Sequence, residues 1–344
     1  MARSQTVFSE IYVAMAIANT SLPQDIISVN EGDIDVYQKE LTKRMGSKSS
    51  LIKNEALFEA GKILRKYILE SGISNFKINW TGNHHLSGIE SVAKDLEIEP
   101  INWRVSVKEN ADVFINSSVT TAFIDLPQGK FGQRVRGEDW FLKVAPSELQ
   151  KYYLSCNGHN TTSYATISEY YKNVKGRDRK IFSKYVSELH SKKSKKVLKS
   201  YQDLCDKVSI ESANIFNLNF QKFAKDTRNK NRLVPIFHFF FKINGVSYYL
   251  IGSEKNKPFV VGLPPSSKWV KKYEFLNIEA ISRKAGQPEV NLNFSFKNKE
   301  TGEIYNIPLK IEIRWSHGKF CGNPEAKVYK QWSYAKLPWV TVIK

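Results

Sequence analysis

Along the first part of the chain the apolar positions recur at helical spacing, and further on they alternate. Phe8 to Ala18 predicts a helix, followed by a polar stretch that ends in Gly46-Ser47-Lys48-Ser49-Ser50. Leu57, Gly61, Leu64 and Ile68 then fall on one face of a helix over 54–71, with Asn54 as its cap and Ser71-Gly72 as its stop. Its other face carries Glu55, Glu59, Lys62 and Lys66. Phe76 to Trp80, Val92 to Ile98 and Trp103 to Lys108 read as short strands punctuated by Gly82, Gly88 and Pro100. From Ser147 to about Lys230 the pattern is helical again, including Asp178 to Leu189 and Glu211 to Ala224. The remainder is β-rich. Asn244-Gly245 between Phe237 to Ile243 and Val246 to Ile251 predicts a hairpin, because Asn-Gly tolerates the positive φ values of a type I′ turn. A second hairpin joins Leu292, Phe294 and Phe296 to Ile307, Leu309, Ile311 and Ile313. The expected class is α/β (α+β), with a core at 1–145, a basic helical region at 146–232 and a β-rich region at 233–344 that could complete the core and contact a nucleic acid, divided by composition shifts.

Charge changes this picture more than size does. The 344 residues suit two domains or one large one, but 52 Lys and Arg stand against 34 Asp and Glu, a net charge of +18. Such an excess attracts polyanions, so nucleic acid is the first partner to expect. Half of it, +9, lies between Lys172 and Lys199. A membrane span is not expected: the run Ile11 to Ala18 is eight residues, against about 20 for a bilayer, and Glu10 stands where a leader would be basic. Cys156, Cys205 and Cys321 are three, odd and far apart, which fits a reducing, cytoplasmic compartment without disulfides or structural zinc.

The candidate chemistry lies in the hairpin around Pro100. With Pro100 and Ile101 at the tip, Asp95 stands opposite Ser106, Glu97 opposite Arg104 and Ala93 opposite Lys108. Leu96, Ile98, Val105 and Val107 form the buried face, and a carboxylate, a hydroxyl and an ammonium gather on the other. Such a patch suits metal-assisted phosphodiester hydrolysis, in which a carboxylate holds Mg²⁺ and a lysine orients water or stabilises developing charge.

The helix over 54–71, the strand 76–80, Asp95 near the end of the next strand and the triplet Ser106-Val107-Lys108 together resemble the PD-(D/E)xK nuclease superfamily, and within it the type II restriction endonucleases. The resemblance covers roughly residues 50–125. It implies a restriction-endonuclease-like core sheet flanked by helices in the first region, Asp95 as a ligand of Mg²⁺, Lys108 as the catalytic lysine, a double-stranded DNA substrate, a possible homodimer and pairing with a DNA methyltransferase. Lys94 stands where the family has proline, and Ser106 where it has an acid, so one metal ligand is unassigned. Glu55, Glu59, Glu90 and Glu97 are the candidates. Glu97 lies about 7 Å along the strand and faces Arg104. A glutamate from the preceding helix often completes the site in that family, so Glu55 is the expected second carboxylate, with Glu59 its nearest rival.

Other stretches concern binding. Lys192, Lys193, Lys195 and Lys196 are candidate phosphate contacts. Arg314, His317, Lys319, Asn323 and Lys327, in a glycine-punctuated loop after a strand, carry the groups that read base edges. His84 and His85 are adjacent, so on a strand they point apart and do not share a metal. No Walker A, GxGxxG or GxSxG sequence occurs. The expected function is a Mg²⁺-dependent, sequence-specific endonuclease. The alternative is a non-catalytic DNA- or RNA-binding protein in which Asp95 and Lys108 form a structural ion pair.

Overall fold

A computed structural model describes residues 2–82, 94–109, 113–130, 139–157, 164–226 and 230–344. The helices are α1 (Ala2–Ala18), α2 (Glu31–Met45), α3 (Lys48–Glu70), α4 (Trp140–Val144), α5 (Pro146–Cys156), α6 (Ile167–Asn173), α7 (Gly176–Ser191), α8 (Lys195–Lys225), α9 (Lys230–Phe241) and α10 (Ser266–Lys272). The strands are β1 (Lys77–Trp80), β2 (Leu96–Glu99), β3 (Trp103–Glu109), β4 (Val113–Ser118), β5 (Tyr248–Glu254), β6 (Lys257–Leu263), β7 (Tyr273–Arg283), β8 (Glu289–Asn298), β9 (Ile304–Trp315), β10 (Pro324–Lys330) and β11 (Thr341–Val342). The class is mixed α and β, as expected. No described helix is long and apolar enough to cross a membrane.

The chain forms two compact units, and they are not the three consecutive regions read from composition. The first is assembled from 1–112, 241–272 and 332–344, the second from 113–240 and 273–331. The cause is topological. Strand β3 pairs in parallel with β5, and the connection between them is the whole segment 113–240. A composition shift near 146 or 232 therefore marks a change within the inserted unit, not its edge.

In the first unit six strands run in the order β1-β2-β3-β5-β6-β11, antiparallel except for β3 and β5. Leu96, Ile98, Val105 and Val107 pack with Val13, Ile17, Leu57, Leu64 and Ile68 in one core. Helix α1 is apolar on nearly all sides because it is buried on nearly all sides. It lies tight on α3, where a Cβ on Gly61 would stand 2.5 Å from Ala16 Cβ. Helix α2 occupies the stretch read as merely polar. Asn30 and Asp33 form a capping box at its start, a signal the sequence does contain.

The second unit holds an antiparallel sheet in the order β4-β10-β9-β8-β7. The predicted β8–β9 hairpin is present, with Leu292 opposite Leu309 and Phe294 opposite Ile307. Helix α8 turns Phe216 and Phe220 inward and is tied to β7 by Asn217, which exchanges two hydrogen bonds with Ala280. The predicted strand Phe237 to Ile243 is wrong: Phe237 to Phe241 are the end of α9. Phe237, Phe240 and Phe241 bury a helical face at i, i+3 and i+4, and packing outweighs the β propensity of phenylalanine. The positive-φ turn that sequence reading placed at Asn244-Gly245 lies instead at Lys255 and Asn256, with φ of 50° and 62°, between β5 and β6.

Candidate functional site

The hairpin register is the predicted one. Leu96 pairs with Val105, Glu97 with Arg104 and Ile98 with Trp103, so Asp95 falls opposite Ser106. Strand β2 begins at Leu96, and Val92 and Ala93 lie outside the described residues. Asp95 and Ser106 are not on an open polar patch: they are 4% and 1% exposed. A buried carboxylate needs partners, and Asp95 has them. Its Oδ2 accepts from Ser106 Oγ at 3.0 Å and from Val107 N at 2.7 Å, and Lys108 Nζ stands 3.7 Å away. Ser106 thus orients the aspartate, whereas the acid of the family motif would bind metal itself.

The second carboxylate near Asp95 comes from α1. Glu10 is 4% exposed and accepts a hydrogen bond from Trp80 Nε1 at 2.7 Å. Burial, and then the charge of Asp95, raise its carboxyl to about 8, while the Trp80 bond and Lys108 pull it back. Glu55, by contrast, is exposed on α3, and Glu59 pairs with Lys62 at 2.8 Å. Glu55, the expected second carboxylate, thus lies on a face of α3 turned to solvent, while α1 brings Glu10 inside. Glu97 lies across from Arg104 in register, but its ion pair is with Lys94. Glu90, His84 and His85 lie outside the described residues.

Sequence reading also missed Lys242 and Tyr248. Burial, and then Lys108, push the Lys242 amine down to about 8, and the Lys242 carbonyl accepts from Tyr248 Oη at 2.7 Å. Burial, and then the charge of Asp95, hold the Tyr248 hydroxyl above its ordinary range. The group around Asp95 thus combines two carboxylates and two amines. Glu10 had one sequence signal: it is a charged residue inside a helix that is otherwise apolar on nearly every side.

Two buried carboxylates near one another repel unless a proton or a cation intervenes, and the charge of Asp95 is, after burial, the second cause that raises the Glu10 carboxyl. The donor set suits a hard divalent cation, since Mg²⁺ is commonly held by one or two carboxylates together with waters and substrate phosphate. Glu10 and Asp95 fit Mg²⁺ on that ground. Among the described residues no cluster of three acidic, histidine or cysteine side chains adds to them.

The binding candidates divide. Lys192, Lys193, Lys195 and Lys196 are exposed at the junction of α7 and α8. Arg314 and Lys327, however, lie on β9 and β10, where both pair with Glu325, at 3.0 and 3.6 Å. Lys319 is half-buried, with its ammonium 4.7 Å from the Tyr201 ring centre. These three are engaged by their own unit, a correction to reading them as one loop of free donors. His317 and Asn323 are exposed. No family model, no curated protein and no solved structure matches the chain.

Proposed function

We propose that this protein is a Mg²⁺-dependent endonuclease for double-stranded DNA, of the type II restriction enzyme kind and built on a PD-(D/E)xK core. The observation that carries the proposal is the convergence of Asp95, Lys108 and the buried Glu10, from three separate segments, on one group of charges. Glu10 and Asp95 would hold the cation, which when bound polarises a phosphodiester and makes a water more acidic. Ser106 and the Val107 amide fix the Asp95 carboxylate in orientation. The Lys108 ammonium is placed to stabilise charge that builds on the phosphate and to orient the attacking water. The surplus of positive charge attracts the DNA backbone over long range. A dimer, a partner methyltransferase and a cytoplasmic setting belong to the same proposal.

Incubation of a long DNA with the protein and Mg²⁺ should yield discrete fragments, and chelation of the metal should prevent them. Salt-sensitive binding without cutting would favour the non-catalytic reading, in which the 3.7 Å Lys108–Asp95 pair is structural. Neutralising Lys192, Lys193, Lys195 and Lys196 together should weaken binding to all duplex sequences alike. For every phosphate that is no longer neutralised, the slope of log affinity against log salt should flatten by about 0.9. Filter binding across a salt series reads this, and an unchanged slope would place the four lysines away from DNA.

A further inference from the structure

The first unit contains a second buried charged network that the proposed chemistry does not use. Arg44 of α2 is 5% exposed and grips Glu109 of β3 in two parallel bonds, Nη1 to Oε1 at 2.9 Å and Nη2 to Oε2 at 2.8 Å. Its Nε donates to Glu40 at 3.3 Å, its Nη1 also to Asn54 of α3 at 3.1 Å, and its guanidinium lies 4.3 Å from the Phe8 ring centre. Glu109 also accepts from Ser9 Oγ of α1. That hydroxyl has a second acceptor, Gln5 O at 2.9 Å, but the carboxylate is the stronger partner for its single proton.

A buried ion network of this kind contributes little net stability, because desolvation offsets most of the attraction. Its position is informative. Ser9 precedes Glu10 on α1, and Glu109 follows Lys108 on β3. Both carboxylate oxygens of Glu109 are taken by Arg44, so Glu109 is held as a tie and not as a metal ligand. We propose that Glu109, gripped by Arg44 and bonded to Ser9, is a positioning residue that fixes α1 against β3 and so sets where Glu10 stands relative to Asp95 and Lys108. This rests on the nuclease reading of the same site and adds to it a support for the cation's two carboxylates.

The test uses the full chain with Ser9→Ala and Glu109→Gln, singly and combined. Mg²⁺ binding is measured by calorimetry without DNA, alongside melting temperature and the Mg²⁺ concentration for half-maximal cleavage. Outer-shell partners of metal ligands typically govern 10- to 100-fold in affinity, so Ser9→Ala should weaken Mg²⁺ binding about tenfold. The double variant should be no weaker than Glu109→Gln alone, because the two residues act through one tie. Unchanged Mg²⁺ affinity in both folded single variants would overturn the proposal. Should Glu109→Gln not fold, Ser9→Ala decides the matter by itself. If the unmodified protein neither binds Mg²⁺ nor cuts DNA, the nuclease reading falls and this inference with it; if it does both and Ser9→Ala is unaffected, only the inference falls.

Discussion

Glu10→Gln is expected to lower Mg²⁺-dependent cleavage by about 10²- to 10³-fold, the range seen when one electrostatic contact to a transition state is removed. Asp95→Asn and Lys108→Ala should do the same, whereas Glu55→Gln should cut at the unmodified rate. The glutamine keeps the volume of Glu10 and an oxygen that accepts from Trp80 Nε1. What it removes is charge, in a place where burial and Asp95 already oppose charge. The Glu10→Gln melting temperature should therefore hold or rise while activity falls, the opposite signs that separate a functional carboxylate from a structural one. Single-turnover cleavage and thermal unfolding of the four variants read both quantities. Full activity in Glu10→Gln, or loss of cleavage in Glu55→Gln, would sink the assignment.

The parts of this site that are local in sequence were legible, and the part that depends on distant segments was not. Strand alternation and the turn at Pro100 suffice to place Asp95 opposite Ser106, because a one-residue slip would expose Leu96, Ile98, Val105 and Val107 together. The same logic gives the β8–β9 hairpin. Glu10 reaches the site from α1, and its bond to Trp80 spans 70 residues, a contact that no local periodicity encodes. In sequence reading Glu10 counts only as an acid standing where a leader would be basic. The segment Phe237 to Phe241 is ambiguous for a different reason. A short aromatic run fits a strand or one face of a buried helix equally well, and the packing of Phe237 against Phe294 and Phe296 decides it. The two-unit division was hidden because the strands that join the first unit, β3 and β5, lie on either side of the inserted segment 113–240.

That join makes Gly252 the position where one methyl group should matter most. Gly252 pairs with Lys108 in the parallel ladder. A Cβ there would lie 1.8 Å from Lys108 O and 2.7 Å from its carbonyl carbon. The obstacle is backbone, so no rotamer change relieves it; β5 must move away from β3, or Lys108 must move with its strand. Forced overpacking costs typically 1–3 kcal/mol and occasionally more, and here a ladder hydrogen bond between buried strands is strained as well. Gly252→Ala should therefore destabilise the first unit by about 3 kcal/mol and reduce cleavage even where the protein remains folded. Gly245→Ala is the matched control, since nothing stands within 4 Å of its added Cβ, and it should change stability by less than about 0.5 kcal/mol. Urea unfolding followed through the tryptophan fluorescence, with cleavage assayed below the transition, tests both effects. A Gly252→Ala protein with unmodified midpoint and rate would mean that β3 and β5 do not approach as closely as this ladder requires, and Lys108 would lose the backbone support on which its place beside Asp95 depends.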